Sequence, residues 1–154
     1  MSIQHVLGVL EDDDRRLWAA FGRALELAEA EHARLTLAKT TDPGRLMRWF
    51  APAALQSASL AIEDFEGWRA ADYALARVLE FVPAEIPVTT VLLGHNTAGS
   101  LLALVRRSPF DCVVLTDRLA HTRGLRRTLP KLEVRTVLTS HTPQTQPARI
   151  GVLG

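Results

Sequence analysis

Two polar segments of the chain carry the residue types that could do chemistry. The first is an acidic run, Glu11 to Asp14, which follows a short apolar segment. The second begins at Thr116 after another apolar segment and contains five basic side chains, Arg118, Arg123, Arg126, Arg127 and Lys131. Grouped carboxylates could bind Mg²⁺ or act as general acid and base, and arginine forks could hold a phosphate or another anion.

Each segment also has a purely structural interpretation. Acidic residues before a helix accept hydrogen bonds from its free N–H groups, so we favour a solvated turn and helix cap over a magnesium site for Glu11 to Asp14. The basic residues form either an anion site or the solvated face of a helix. No aromatic residues interleave them, so a stacking platform for single-stranded nucleic acid is not indicated.

The elements that position these segments follow from hydrophobic periodicity. Apolar runs predict five strands, at His5–Leu10, Arg34–Thr40, Val88–Leu93, within Phe110–Asp117 and at Val134–Thr139. Helical spacing predicts helices over about 14–31, 63–81, 98–107 and 123–129, the last broken at Pro130. This alternation predicts an α/β fold, with an open five-stranded parallel sheet, order 3-2-1-4-5, and helices on both faces. We expect one domain over residues 1–140 and a tail over 141–154 that could add an edge strand.

In such a sheet the strand order reverses between strands 1 and 4, and ligands bind beyond the carboxyl ends of the strands at that point. This places the acidic run beside the residues that follow the fourth strand. The candidate binding positions in and around this crevice are Glu11, Asp13, Gly94, Thr116, Asp117, Arg118 and Arg123. Polar residues at strand ends are also common for structural reasons alone.

Composition limits the remaining possibilities. The 154 residues carry a net charge of +1, so no overall field favours nucleic acid or a membrane surface. The single cysteine, Cys112, lies in an apolar strand and fits an inert thiol in a reducing compartment, and without a spanning segment or secretory signal we expect a cytoplasmic protein. The histidines lack metal-ligand spacing, and no catalytic set is recognisable, so we predict no metal, no cofactor and no enzyme activity. Four aromatic residues could form a ligand wall or a partner surface, but we favour a place in the core for them: Trp49, Phe50, Trp68 and Tyr73.

The chain resembles the universal stress protein family (UspA-like) over roughly residues 3–140. The resemblance rests on the order and spacing of Val6-Leu7-Gly8-Val9-Leu10-Glu11, of Ala24–Ala28 followed by Ala33–Leu37, of Leu93-Gly94, and of Asp111–Leu115. It implies an adenine nucleotide alpha hydrolase-like fold, a stress-response or regulatory role, and a homodimer that pairs through the fifth strand, Val134–Thr139.

The resemblance also implies a motif that this chain lacks. The family's nucleotide-binding branch has Gly-x2-Gly-x9-Gly-Ser/Thr after the fourth strand, where this chain has Thr116, Leu119, Leu129 and Pro130. Side chains obstruct the close approach of a backbone to phosphate, and proline has no N–H to donate. We therefore expect a non-enzymatic protein that does not bind ATP in the family's usual way. The alternative is a sensor that binds an adenine nucleotide or another anionic metabolite between strands 1 and 4, with Arg118 and Arg123 replacing the missing backbone cradle.

Overall fold

A computed structural model describes residues 3–40, 73–94 and 96–140 of the chain. Its strands are β1 (His5–Leu10), β2 (Arg34–Thr40), β3 (Val88–Leu93), β4 (Cys112–Thr116) and β5 (Arg135–Thr139). All pair in parallel, in the order β3-β2-β1-β4-β5, which confirms the predicted sheet. At the centre, Leu7 of β1 lies opposite Thr36 of β2 and Val113 of β4.

The helices cover both faces of the sheet. They are α1 (Asp14–Glu31), α2 (Thr97–Arg107), α3 (Asp117–Ala120) and α4 (Arg123–Thr128), followed by a 3₁₀ turn, Leu129–Lys131. The short α3 was not predicted, and α4 ends one residue before the predicted Leu129. The 3₁₀ turn contains Pro130 in its first turn, where the missing N–H is tolerated, so the chain tightens there instead of continuing the α-helix.

Two other expectations have different outcomes: one falls largely outside the described residues, and the other is wrong. Of the helix predicted over about 63–81, residues 73–79 are helical, and the earlier part lies outside the described residues. The aromatic residues Trp49, Phe50 and Trp68 and the tail 141–154 also lie outside them. The expectation that Tyr73 is buried was wrong, because its side chain is 68% exposed. Leu75 and Val78 are instead the buried residues of this segment.

Each strand at the centre of the sheet contributes to two cores. In β1, Val6 and Leu10 pack with α1, whereas Leu7 and Val9 pack with α2 on the opposite face. A strand covered by helices on both faces has no solvent-facing positions, which explains why the apolar runs of β1 and β4 are continuous rather than alternating.

A close approach of α1 to β1 fixes where the acidic run lies. A Cβ at Gly8 would be 2.9 Å from the Cβ of Ala24, so only glycine lets α1 pack directly on the middle of the strand. The turn between β1 and α1 has three residues, Glu11 to Asp13. The acidic run is therefore held tightly at the carboxyl edge of the sheet, beside the end of β4.

Candidate functional site

The carboxyl ends of β1 and β4 meet in a side-chain hydrogen bond. The hydroxyl of Thr116, which is fully buried, donates to the carboxylate of Glu11. The same hydroxyl oxygen accepts from the backbone N–H of Leu119 at 3.2 Å and so caps α3. Two of the predicted crevice residues, Glu11 and Thr116, are thus brought together, and their contact bridges the two strands at the point where a ligand would enter.

Asp13 caps α1, which confirms the helix-cap interpretation of the acidic run. Its carboxylate accepts from the backbone N–H of Arg15 at 2.9 Å and, more weakly, from that of Arg16 at 3.4 Å. The guanidinium of Arg16 also lies 3.4 Å from the same carboxylate. The Asp13 side chain is therefore committed to the first turn of α1.

Asp12 is the counter-ion of a buried lysine. Lys39 of β2 is only 2% exposed, and its ammonium donates to the carboxylate of Asp12 and, at 2.8 Å, to the carbonyl oxygen of Thr40. Asp12 itself is 54% exposed, so water reaches one side of the pair. Lys39 was not among the predicted site residues. The available signal was a single charged residue in an otherwise buried strand, because a charge there requires a partner.

Asp14 pairs with Arg77, which lies in the helical residues 73–79. Its carboxylate accepts from the Arg77 guanidinium at 2.8 Å, and Arg77 lies over the Trp18 ring, 5.9 Å from the ring centroid. Each aspartate of the run therefore has its own positive partner or helix terminus. Within the described part of the chain, no group of three or more His, Cys, Asp or Glu side chains is arranged to hold a metal ion.

The segment after β4 does not form an anion-binding loop of backbone amides. Such a nest requires main-chain N–H groups that converge, commonly through residues in the left-handed conformation. Among non-glycine residues of the described ranges, positive φ occurs at His32 and Glu133, neither of which lies between 116 and 130, and no described glycine has positive φ. Amides of the segment are also used internally, as in Arg126 N–H to Thr122 O at 2.9 Å.

We call Arg118 to Lys131 the basic segment. Its five cationic side chains are all exposed, and in the ranges that the structure describes none of them forms an ion pair: Arg118, Arg123, Arg126, Arg127 and Lys131. The three arginines of α4 border a pocket of about 300 Å³. The five basic side chains are therefore solvated, and the three that belong to α4 also share a concavity.

Of the two remaining predicted positions, Gly94 lies apart from the Glu11–Thr116 contact, whereas Asp117 directly follows Thr116. Gly94 follows the edge strand β3, two strands away from β1, and its N–H donates to the Ser100 hydroxyl at 3.1 Å. Asp117 is the first residue of α3, and its carbonyl oxygen accepts from the His121 N–H at 3.1 Å. The structure thus joins Glu11 to Thr116 but separates Gly94 from the crevice between β1 and β4.

Cys112 has the properties expected of an inert thiol. It is fully buried in β4, and burial is the main cause that raises the pKa of its thiol above the usual range. A neutral, inaccessible thiol is a poor nucleophile. Separately, none of the described helices is both long enough and apolar enough to cross a bilayer.

The geometry defines a class of protein: a doubly wound α/β domain whose strand order reverses between the first and fourth strands. This is the fold of the universal stress proteins. Universal stress protein UspA from Lactobacillus plantarum superimposes with a TM-score of 0.68 at 18% identity, covering 90% of this chain and 99% of that one. The architecture that the family resemblance implied is therefore confirmed.

Two further solved structures share the fold. A universal stress protein family member from Burkholderia pseudomallei gives a TM-score of 0.58 at 22% identity, with 88% of this chain and 95% of that chain covered. A family member from Arabidopsis thaliana, solved with AMP bound, gives 0.58 at 10% identity over 94% and 96% of the two chains. No protein-family model matches this sequence, and no curated protein matches it. Similarity at these identities is one of fold.

Proposed function

We propose that this chain is a non-enzymatic, cytoplasmic regulatory protein of the universal stress type, a homodimer that does not hold ATP in a backbone cradle. The observation that carries the proposal is the conformation of residues 116–130. This segment forms two short helices and a 3₁₀ turn, and none of its residues is in the left-handed conformation. At its start, the Thr116 hydroxyl donates to Glu11 and so links the ends of β4 and β1.

The acidic run argues in the same direction. A phosphate near the end of β1 would face the carboxylates of Asp12 and Asp13, and two unit charges 4 Å apart repel by about 4 kcal/mol at an intermediate dielectric. Lys39 and the first turn of α1 already offset those charges, so neither cation nor helix terminus remains free for a phosphate there. Binding would first have to break these contacts.

The experiment uses AMP, which the Arabidopsis structure contains. Isothermal titration of wild-type protein with AMP is expected to give no saturable heat at millimolar ligand, and the protein as purified is expected to carry no nucleotide by mass spectrometry. ATP is titrated in the presence and absence of adenosine, because a purine in the crevice would be displaced by the nucleoside. Saturable AMP binding, or ATP binding that adenosine abolishes, would contradict the proposal.

The alternative function is a sensor for an adenine nucleotide or other anionic metabolite in the same crevice. Arg118 favours it, because its guanidinium is exposed, has no ion-pair partner in the described part of the chain and could hold a phosphate without glycine. Under this alternative, AMP binds, and Arg118→Gln weakens it more than does Arg106→Gln, a matched change at an exposed arginine of α2. The AMP titration described above separates the two functions.

The homodimer is proposed through β5. This strand is at the edge of the sheet, so one row of its backbone groups has no neighbouring strand in the described sheet. Leu138 of β5 is 47% exposed, an apolar side chain suited to a partner surface. Light scattering after size-exclusion chromatography is expected to give a dimer for wild type and a monomer for Leu138→Glu. The exposed Thr89 of the opposite edge strand, changed to Glu, is the control and should remain dimeric; a wild-type monomer at tens of micromolar would refute this part.

A further inference from the structure

The outer face of α4 has a charge arrangement that the fold does not require. Arg123, Arg126 and Arg127 have i, i+3 and i+4 spacing, which places all three on one side of the helix. The opposite side anchors the helix. Leu125 is buried, and a Cβ at Gly124 would lie 3.2 Å from the Cβ of Ala98 in α2. The arginines are therefore held on a fixed helix and face away from the core.

This arrangement carries an energetic cost within the chain. Like charges at i, i+3 and i+4 repel, and no carboxylate in the described ranges pairs with any of the three. Elsewhere in these ranges, Arg16, Arg23 and Arg77 each have an acidic partner. The three arginines of α4 therefore form a cationic cluster whose compensation is not supplied by the described fold.

The same three side chains border the pocket of about 300 Å³, the lower end of the range for small-ligand sites. A concavity bordered by three guanidinium groups suits a compact ligand that has several oxyanion groups. Each guanidinium can donate two parallel hydrogen bonds to a phosphate, and three of them can bind successive phosphates of a short chain.

We propose that Arg123, Arg126 and Arg127 form an oligophosphate-binding site on the outer face of α4, outside the crevice between β1 and β4. The ligand class is a short phosphate chain, either free or as the tail of a nucleoside triphosphate. Recognition rests on the phosphates, not on a base. This goes beyond the proposed function, because it requires neither an open crevice nor a backbone cradle.

The central experiment is isothermal titration of the full chain with inorganic triphosphate in about 0.1 M salt. Wild type is expected to bind at one site, with an affinity that falls as salt increases. The double variant Arg126→Gln, Arg127→Gln is expected to bind at least about tenfold more weakly, because charge-assisted bidentate contacts are lost. Absence of wild-type binding, or unchanged binding by this variant, would overturn the proposal.

The matched control is Arg106→Gln, Arg107→Gln. Both pairs are adjacent exposed arginines in the last turn of a helix, so each variant loses the same charge and the same interaction with a helix terminus. Arg106 lies about 12 Å further along α2 than Ala98, which is close to Gly124 of α4, and this separation along the helix is longer than the screening length of about 10 Å. Binding within about twofold of wild type supports a local site, whereas an equal loss in both variants would show a non-specific charge effect and overturn it.

Two further experiments test which groups of the protein and of the ligand are needed for binding. Arg126→Lys, Arg127→Lys keeps the charge but removes the planar forks, and weaker triphosphate binding is expected; unchanged binding would overturn the assignment to guanidinium forks. ATP is expected to bind within a few-fold of inorganic triphosphate, whereas AMP and adenosine are expected to give no saturable binding at millimolar concentration. Binding of adenosine or AMP comparable to ATP would overturn recognition by phosphates. Absence of triphosphate binding would overturn this site and leave the proposed function standing, whereas saturable AMP binding or adenosine competition would refute the proposed function.

Discussion

The acidic run and the basic segment lie at the same edge of the sheet, yet the fold treats their charges in opposite ways. Every aspartate of the acidic run has a partner, from β2, from α1 or from residues 73–79. The five cations of the basic segment have none in the ranges that the structure describes. Charges that the fold neutralises act in stability, whereas charges that it leaves exposed and clustered are available to a ligand.

The largest expected effect is at the buried lysine. Asp12→Asn leaves the ammonium of Lys39 without its counter-ion and is expected to lower the free energy of unfolding by about 2 kcal/mol, less than for a fully buried pair because Asp12 is half exposed. Urea unfolding measures it. The double variant Asp12→Asn, Lys39→Met should return to within about 1 kcal/mol of wild type, because no buried charge remains. If Asp12→Asn alone has no effect, the pair does not stabilise the fold.

The next effect is at Thr116, where the two regions meet. Thr116→Val keeps the side-chain volume but removes the donor to Glu11 and the acceptor for the Leu119 N–H. We expect a loss of about 1.5 kcal/mol in the free energy of unfolding, since a buried backbone N–H loses its partner. Thr116→Ser, which keeps the hydroxyl, is the control. Equal losses in the two variants would attribute the effect to packing rather than to the hydrogen bonds.

A smaller effect is expected within the acidic run itself. Asp13→Ala removes the cap of α1 and should cost about 1 kcal/mol of unfolding free energy, measured by thermal and urea denaturation. Asp14→Ala breaks only an exposed ion pair with Arg77 and should cost about 0.5 kcal/mol or less. Reversal of this order would show that Asp14, not Asp13, secures the helix.

The smallest effect on the free energy of unfolding is expected in the basic segment. Arg126→Gln, Arg127→Gln is expected to leave the free energy of unfolding within about 0.5 kcal/mol of wild type or to raise it slightly, because unpaired like charges are removed. The same urea experiment applies. A clear destabilisation would mean that these arginines support the fold, and the contrast between the two regions would disappear.

Local sequence predicted the elements well because apolar periodicity and capping are local properties. The bounds of β1, β2, β3 and α1 match the predictions, and the cap by Asp13 was anticipated from the acid before an apolar helical face. The pairing of Asp12 with Lys39 could not be predicted, since the two residues are 27 positions apart and meet only when β1 and β2 pair in register. The prediction that Tyr73 is buried failed because the helical spacing of apolar residues does not show which of them face the sheet.

The bounds of most strands and helices and the lack of phosphate-loop glycines after β4 follow from residue types within short stretches, and the alternation of strands with helices along the chain predicted the strand order. Tertiary structure decided which charges far apart in the chain are neutralised. Packing of the sheet and helices brought Lys39 to Asp12, Arg77 to Asp14 and Thr116 to Glu11, and it placed the arginines of α4, which helical spacing already groups, at a pocket. The physical reason is that an ion pair requires proximity in space, and only the packed sheet and helices supply it.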